Sequence, residues 1–260
     1  MTTARPLMVS CSLTMGIDAL VAPRVADAAV DAAAAADATY RLLVWTSPSY
    51  PIGAFSYSHG LEWAVEQGRV VDVATLVDYI AAVIERGGGW VDGVLFAHAY
   101  RAAAGDDEAA LDDVAELANA FRASSETALE ARQQGAAFLL VTRKAWPHPQ
   151  LDAFAQRHAD VAIAHCVTMA LACAAHRVAL HAALHAYLHS VAANLVSAGV
   201  RLVPLGQTDG QHALAQLRSI VARATDAALT TALDDLGTSS PQLELCSMHH
   251  ETQYTRLFRS

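Results

Sequence analysis

An all-α protein, folded as a single bundle-like domain of about eight to ten helices, is what this sequence predicts. Three observations carry that expectation. The chain is 54% apolar with only 7% aromatic residues, and much of the apolar material is alanine, the strongest helix former. Its apolar residues recur mostly at helical spacing. Neither strand-like alternation nor a repeat of fixed period is visible. At 260 residues there is material for a sizeable core.

The elements follow in order. Residues 1–38 are low in complexity and end in DAAVDAAAAADATY. They read as a flexible arm or stray helix preceding a helical domain over 39–260. Leu7 to Ala22 is fairly apolar and Ala26-Asp27-Ala28 follows, as in a secretory signal. Asp18 interrupts that run and only Arg5 precedes it, so export is not expected. Arg41 to Thr46 is a short helical turn, and Ser47 to Gly53, with two prolines, is a loop. Ser56 or Ser58 should cap a helix to about Gln67, stopped by Gly68.

Asp72 should cap the next helix, where Leu76, Ile80, Val83 and Ile84 share a face; Gly87-Gly88-Gly89 ends it. Further helices are expected from Trp90 to Ala104, from Asp106-Asp107 through Phe121, and from Ser124 or Ser125 to Lys144. Trp146-Pro147-His148-Pro149 breaks the chain. After Gln150 come a short helix and two long ones. The second, about His176 to Ala198, carries a stripe of Leu180, Leu184, Leu188, Val191 and Leu195. RLVPLGQTDG reads as a loop, Gln211 to Leu233 as the last long helix, and the end from Gly237 as irregular and polar.

Composition excludes several functions. The net charge is −9 and no basic stripe exists, so nucleic acid is not an expected partner. The one lysine, Lys144, lies between Arg143 and Ala145, which rules out a P-loop. No apolar run is long enough for a membrane span. Of the four cysteines, Cys11, Cys166, Cys173 and Cys246, none form a Cys-x-x-Cys pair. Cys166 and Cys173 would lie about 10 Å apart along a helix, too far for a disulfide. Reduced thiols and a cytoplasmic location are expected.

The candidate chemistry is sparse. Ser58-His59-Gly60 lacks the first glycine of a nucleophile elbow, since Ser56 stands there. In GGGWVDG, Asp92 occupies a glycine position of the dinucleotide fingerprint. His250-Glu251 is not followed by the second histidine of a zincin. His181, His185 and His189 recur every fourth residue and share a helical face, as a nickel, zinc or copper pair requires. Each follows a stripe leucine, so they also read as boundary residues of an amphipathic helix. The end, SMHHETQYTRLFRS, keeps Tyr254, Leu257 and Phe258 among Arg256 and Arg259. Such residues anchor interfaces, so the tail either folds back on the bundle or docks elsewhere.

Three segments, PIGAFSYSHGLEWAVEQG, RLVPLGQTDGQ and HETQYTRLFRS, together resemble the UreF urease accessory proteins in order, spacing and wording, over about Leu42 to Ser260. The resemblance implies an all-helical, cytoplasmic homodimer with no catalysis of its own and no tightly bound cofactor. It implies a scaffold joining UreD (UreH) to the GTPase UreG, coupling GTP hydrolysis to nickel insertion into apo-urease, with nickel at most in transit. The alternative is a nickel-binding metallochaperone using the helix histidines.

The resemblance also implies partner-binding residues. Pro51 and Gly53 set a corner, Phe55 and Tyr57 pack it, and Ser58 caps the following helix beside His59 and Gly60. Glu62 and Glu66 face outward. Gly206, Gln207, Asp209 and Gly210 form a turn. His250, Glu251, Tyr254, Arg256, Leu257, Phe258, Arg259 and Ser260 form a docking tail. The family pattern has arginine where this chain has His249, which puts a guanidinium contact there in doubt.

Overall fold

A computed structural model describes Met1 and residues 22–260, with side chains from residue 32 onward. Cys11 and most of the apolar run from Leu7 lie outside the described residues. So do residues 2–21 of the expected arm. From Ala22 the chain is helical. Two compact units are present, Met1–Asp37 and Ala38–Ser260. Among the described residues all regular structure is helical: ten α-helices of nine residues or more, an eleventh of six, and two 3-10 turns. None of these helices is long and apolar enough to cross a membrane.

Helix α1 (Ala22–Trp45) ends on a buried tryptophan. Trp45 meets Phe138 and Trp146 edge-on, both with ring centroids at 6.1 Å. A 3-10 turn (Ala54–Ser56) and the short α2 (Leu61–Glu66) follow. Helix α3 (Val73–Arg86) begins at Asp72, whose carboxylate accepts from Thr75 N at 2.9 Å while Thr75 Oγ1 reaches back to the cap. Its buried Leu76, Ile80, Val83 and Ile84 are the expected stripe.

The glycine triplet does not open a long connection. Gly87 alone separates α3 from α4 (Gly88–Ala104), which starts two residues before the expected Trp90. Helix α5 (Glu108–Ala120) is capped by Asp107, and α6 (Ser125–Ala145) by a reciprocal Ser124–Thr127 box. Helix α7 (Pro149–Arg157) uses Pro149 as its first residue, where the missing N–H costs nothing. Helix α8 (His165–Ala175) is shorter than expected, and α9 runs Leu180–Leu202. Arg177, in left-handed conformation, breaks the chain where a helix was expected to begin at His176. Helix α10 (Gln207–Thr230) and a 3-10 turn (Leu233–Asp235) precede α11 (Pro241–His250). That last helix replaces the irregular end expected from Gly237. No apolar stripe marks it: its covered face mixes Leu243 and Cys246 with Ser247 and His250, while Leu245 and Met248 lie exposed.

Helix α8 is the central rod, buried from His165 to Cys173, and α4 and α6 pack on it. Helices α9 and α10 pair, and α10 closes over α3 and α4. One half-buried polar group links these layers. Asp92 accepts from Arg122 Nη1 at 2.7 Å and from the Tyr187 hydroxyl at 2.9 Å. The aspartate that spoiled the dinucleotide pattern is therefore a core ion-pair residue. Cys166, Cys173 and Cys246 are free thiols, all buried, and burial pushes each thiol up from its ordinary value.

Among the described glycines the tightest is Gly135, where α6 meets the segment leading into α8. A Cβ on Gly135 would stand 1.9 Å from the Ile163 carbonyl oxygen. Gly135→Ala is expected to destabilise by about 3 kcal/mol in urea unfolding. Gly93→Ala, whose Cβ would meet nothing nearer than 3.5 Å, should stay within about 1 kcal/mol of the parent.

Candidate functional site

The corner after α1 is built from local chain constraints. Gly53 (φ 73°) enters the 3-10 turn left-handed, and His59 (φ 57°) and Gly60 (φ 77°) turn the chain again before α2. That second turn corrects one expectation: α2 starts at Leu61, not after Ser56 or Ser58. Gly60 is also a contact point, since a Cβ there would lie 2.7 Å from Ser247 N on α11. Ser58 is fully buried. Its Oγ donates to the Ser260 carbonyl oxygen and accepts weakly from Glu62 N at 3.4 Å.

The tail after α11 folds back onto this corner. Arg259 N donates to Ser56 O and Ser58 N to Ser260 O, both at 2.8 Å. Phe258 is buried, and the Arg201 guanidinium lies 4.3 Å from its ring centre. The same guanidinium stands 5.6 Å from the Phe55 ring and donates to Phe55 O at 2.8 Å. Phe55 does not pack into the corner as expected. Its ring is mostly exposed and is steadied from one side by Arg201.

Under the tail lies a buried charged network. Glu62, expected to face outward, is only 7% exposed. Its carboxylate accepts from Leu257 N (2.6 Å), Phe258 N (2.9 Å) and His250 Nε2 (3.0 Å). His250 is completely buried, and its other ring nitrogen meets Glu126 Oε2 at 2.7 Å. The second oxygen of Glu126 takes Arg256. Buried carboxylates persist only with such donors. Glu66, by contrast, is exposed as expected.

Neighbouring contacts widen the seam. Glu251 accepts from Ser125 N and Oγ at 3.1 and 2.7 Å, adding to the cap of α6. Ser124 and Ser247 hydroxyls meet at 2.7 Å. Ser260 Oγ donates to Glu130 at 2.9 Å, and His59 Nδ1 lies 3.5 Å from the same oxygen. Ser58 and His59 thus each face structural partners rather than each other.

Residues 70–218 match the UreF family. The urease accessory protein UreF of Granulibacter bethesdensis is 52% identical over 223 residues, covering 86% of this chain and 94% of that protein. UreF of Rhodopseudomonas palustris is 52% identical over 239 residues, covering 92% and 98%. UreF of Bradyrhizobium diazoefficiens is 46% identical over 229 residues, covering 88% and 94%. The chain belongs to the UreF family.

Within this UreF-family chain, the corner and the tail meet, but the third resembling segment stays apart. Gly206 caps α10 and Asp209 reaches back to Gly206 N at 2.9 Å. Gln207, Asp209 and Gly210 are the first turn of α10 rather than a loop before it. No hydrogen bond among the described residues joins this turn to the tail. Pro51 is exposed beside the corner. His249 stacks on Trp63 with centroids 5.2 Å apart, so a flat ring contact stands where the family pattern has a guanidinium. His181 and His189 are exposed and His185 half-buried. Among the described residues no three His, Cys, Asp or Glu side chains are grouped to hold a metal ion.

Sequence reasoning missed Glu126, Glu130 and Arg201. Glu126 looks like any first-turn acid of a helix; only His250, 124 positions away, gives it a second purpose.

Glu62→Ala and His250→Ala are each expected to cost about 3–5 kcal/mol in urea unfolding, because each strands a buried partner. The double variant should cost less than their sum; full additivity would show that the two residues do not share a network. His59 gives a pH signature. Burial lowers its value, but the hydrogen bond and charge of Glu130 outweigh burial and leave it raised. Folding therefore favours the protonated ring. That stabilisation is complete below about pH 6.5 and is lost as pH rises through the raised value. The stability advantage of the parent over Glu130→Gln should shrink across that interval, as read by thermal unfolding from pH 5.5 to 9.

Proposed function

We propose that this chain is a non-catalytic scaffold and regulator of urease maturation. In this reading it works in the cytoplasm as a homodimer and joins UreD (UreH) to the GTPase UreG. It couples GTP hydrolysis to the insertion of nickel, the cargo, into apo-urease. Family membership supports the accessory role. The spending of Ser58 and His59 on structural contacts is in keeping with a chain that turns nothing over alone.

One observation carries the docking part of the proposal. Arg256, Phe258 and Ser260 are held in the corner by ion pair, burial and hydrogen bond, whereas Tyr254 and Leu257 between and beside them are exposed. Large side chains presented from an anchored backbone lose little freedom on binding, which is how interface anchors gain affinity. With exposed Phe55 nearby through Arg201, they offer an aromatic and aliphatic surface suited to UreD.

The test separates docking from folding. Tyr254→Ala with Leu257→Ser should leave the unfolding midpoint unchanged, weaken UreD binding at least tenfold, and lower urease activity and nickel content in cells carrying the other urease genes. Phe258→Ala should instead lower the midpoint. Unchanged UreD capture by the Tyr254/Leu257 variant would reject the tail as the docking element. Urease fully loaded with nickel in cells lacking this chain would reject the maturation role.

A further inference from the structure

We propose that the cavity between the corner after α1 and helix α9 binds a small, planar, uncharged molecule of the primary-amide type, with Trp45 and His165 as its hydrogen-bonding partners. This does not rest on the scaffold reading; it follows from two buried ring nitrogens that the protein leaves unanswered.

The cavity measures about 260 Å³. Trp45, Tyr50 and His165 supply aromatic walls, and Ile52 and Leu195 aliphatic ones. Glu130, Gln134 and Asn194 bring polar groups to the same space. Exposed Pro48, Phe55 and Ser197 stand where it opens. Trp45 ends α1 and His165 begins α8, yet both lie against one ring. Phe138 stands 6.1 Å from Trp45 and 5.2 Å from His165 between centroids. Trp45 is 1% exposed and His165 7%. Trp45 Nε1 and His165 Nε2 have no hydrogen-bond partner among the described residues. A polar atom buried without a partner is costly, and two in one cavity call for a guest that answers both. Tyr50 adds no third demand, since its hydroxyl meets Thr142 Oγ1 at 2.8 Å.

The lining selects the guest. Burial pushes His165 down to about 4, against the opposing charges of Asp92 and Glu130. Its ring is therefore neutral near pH 7 and presents one N–H and one lone pair, whereas the Trp45 indole can only donate. The Glu130 oxygens already face Ser260 Oγ (2.9 Å), Gln134 Nε2 (3.1 Å) and His59 Nδ1 (3.5 Å). A cation finds that carboxylate largely answered, and an anion is repelled by it. Either would give up its hydration for little return. A primary amide carries a carbonyl for the indole N–H and an N–H for the imidazole, in one plane that suits ring walls. Phe55 and Glu130 also belong to the seat of the tail, so a bound guest stabilises the corner by mass action.

The experiment titrates benzamide into the nitrogen-15-labelled full chain, with benzoate and benzylamine as charged controls of similar shape. The indole N–H signal of Trp45, assigned by its loss in Trp45→Phe, should shift saturably with a Kd in about the millimolar range, as suits so small a probe. The thermal midpoint should rise with it, and both controls should leave the signal in place. His165→Phe keeps a ring and removes the nitrogens; it should weaken binding about fivefold. Ala193→Leu fills the cavity from α9 and should abolish binding, with circular dichroism checking that the helices remain. The absence of a saturable Trp45 shift overturns the proposal. So does an equal response to benzoate or benzylamine, or undiminished benzamide binding in His165→Phe or Ala193→Leu.

Discussion

The carboxylate of Glu62 is the constraint on which the C-terminal tail of this structure depends. A six-residue helix, α2, carries it into the interior, where an unpaired carboxylate would be untenable. Three donors answer it, and all come from far along the chain: the His250 ring and the backbone N–H groups of Leu257 and Phe258. The tail has to lie where it does because the charge needs its backbone. Phe258 burial, the Arg256–Glu126 ion pair and the backbone bonds of Arg259 and Ser260 to the corner reinforce that path.

The network is balanced in donors and in charge. Both ring nitrogens of His250 face carboxylate oxygens, so both must carry hydrogen for the two contacts to be hydrogen bonds. Such a ring, with Arg256, offsets Glu62 and Glu126. A buried set of this kind adds little net stability over an apolar plug, but it is costly to break at any one member. Its value here is positional. It fixes the register of the tail on the corner to a single residue, and register decides that Phe258 points in while Leu257 points out. A tail held only by Phe258 burial could slide. Arg201 adds a second fixed point by lying against both Phe55 and Phe258.

Much of the helical frame was legible because the signals are local. Asp72, Asp107 and Ser124 each announce a helix start through a side chain that bonds within three residues. The leucine stripe of α9 needs only periodicity. What could not be read is what depends on distant partners. Glu62 looks like a surface residue of an amphipathic turn, and nothing near it in sequence supplies its donors. Helix α11 escaped notice because its faces carry no contrast; α2 and α6 cover it. The break at Arg177 escaped because no glycine or proline marks it. In the site, the corner and tail were recognisable as unusual, and their direct contact was not. The turn at Gly206 resembles the family as strongly as they do, yet its bonds serve only the start of α10, so resemblance alone did not separate docking elements from folding elements.

Helix α9 carries one fixed point of the docking corner near its end. Arg201, near its end, supports the corner and tail; His181, near its start, meets Asp226 of α10. Twenty residues of helix separate them, about 30 Å. Over that distance neither direct contact nor charge interaction in physiological salt connects the two. A change at the His181 end therefore cannot act on the tail by touching it. Any coupling would have to pass through α9 itself, whose buried Leu184, Leu188 and Leu195 fix it against the core. Such a rod resists sliding, because each leucine fills a place that a one-turn shift would empty. The physical expectation is two helix ends that respond independently to substitution. A partner spanning both would then be the natural means of making one sense the other.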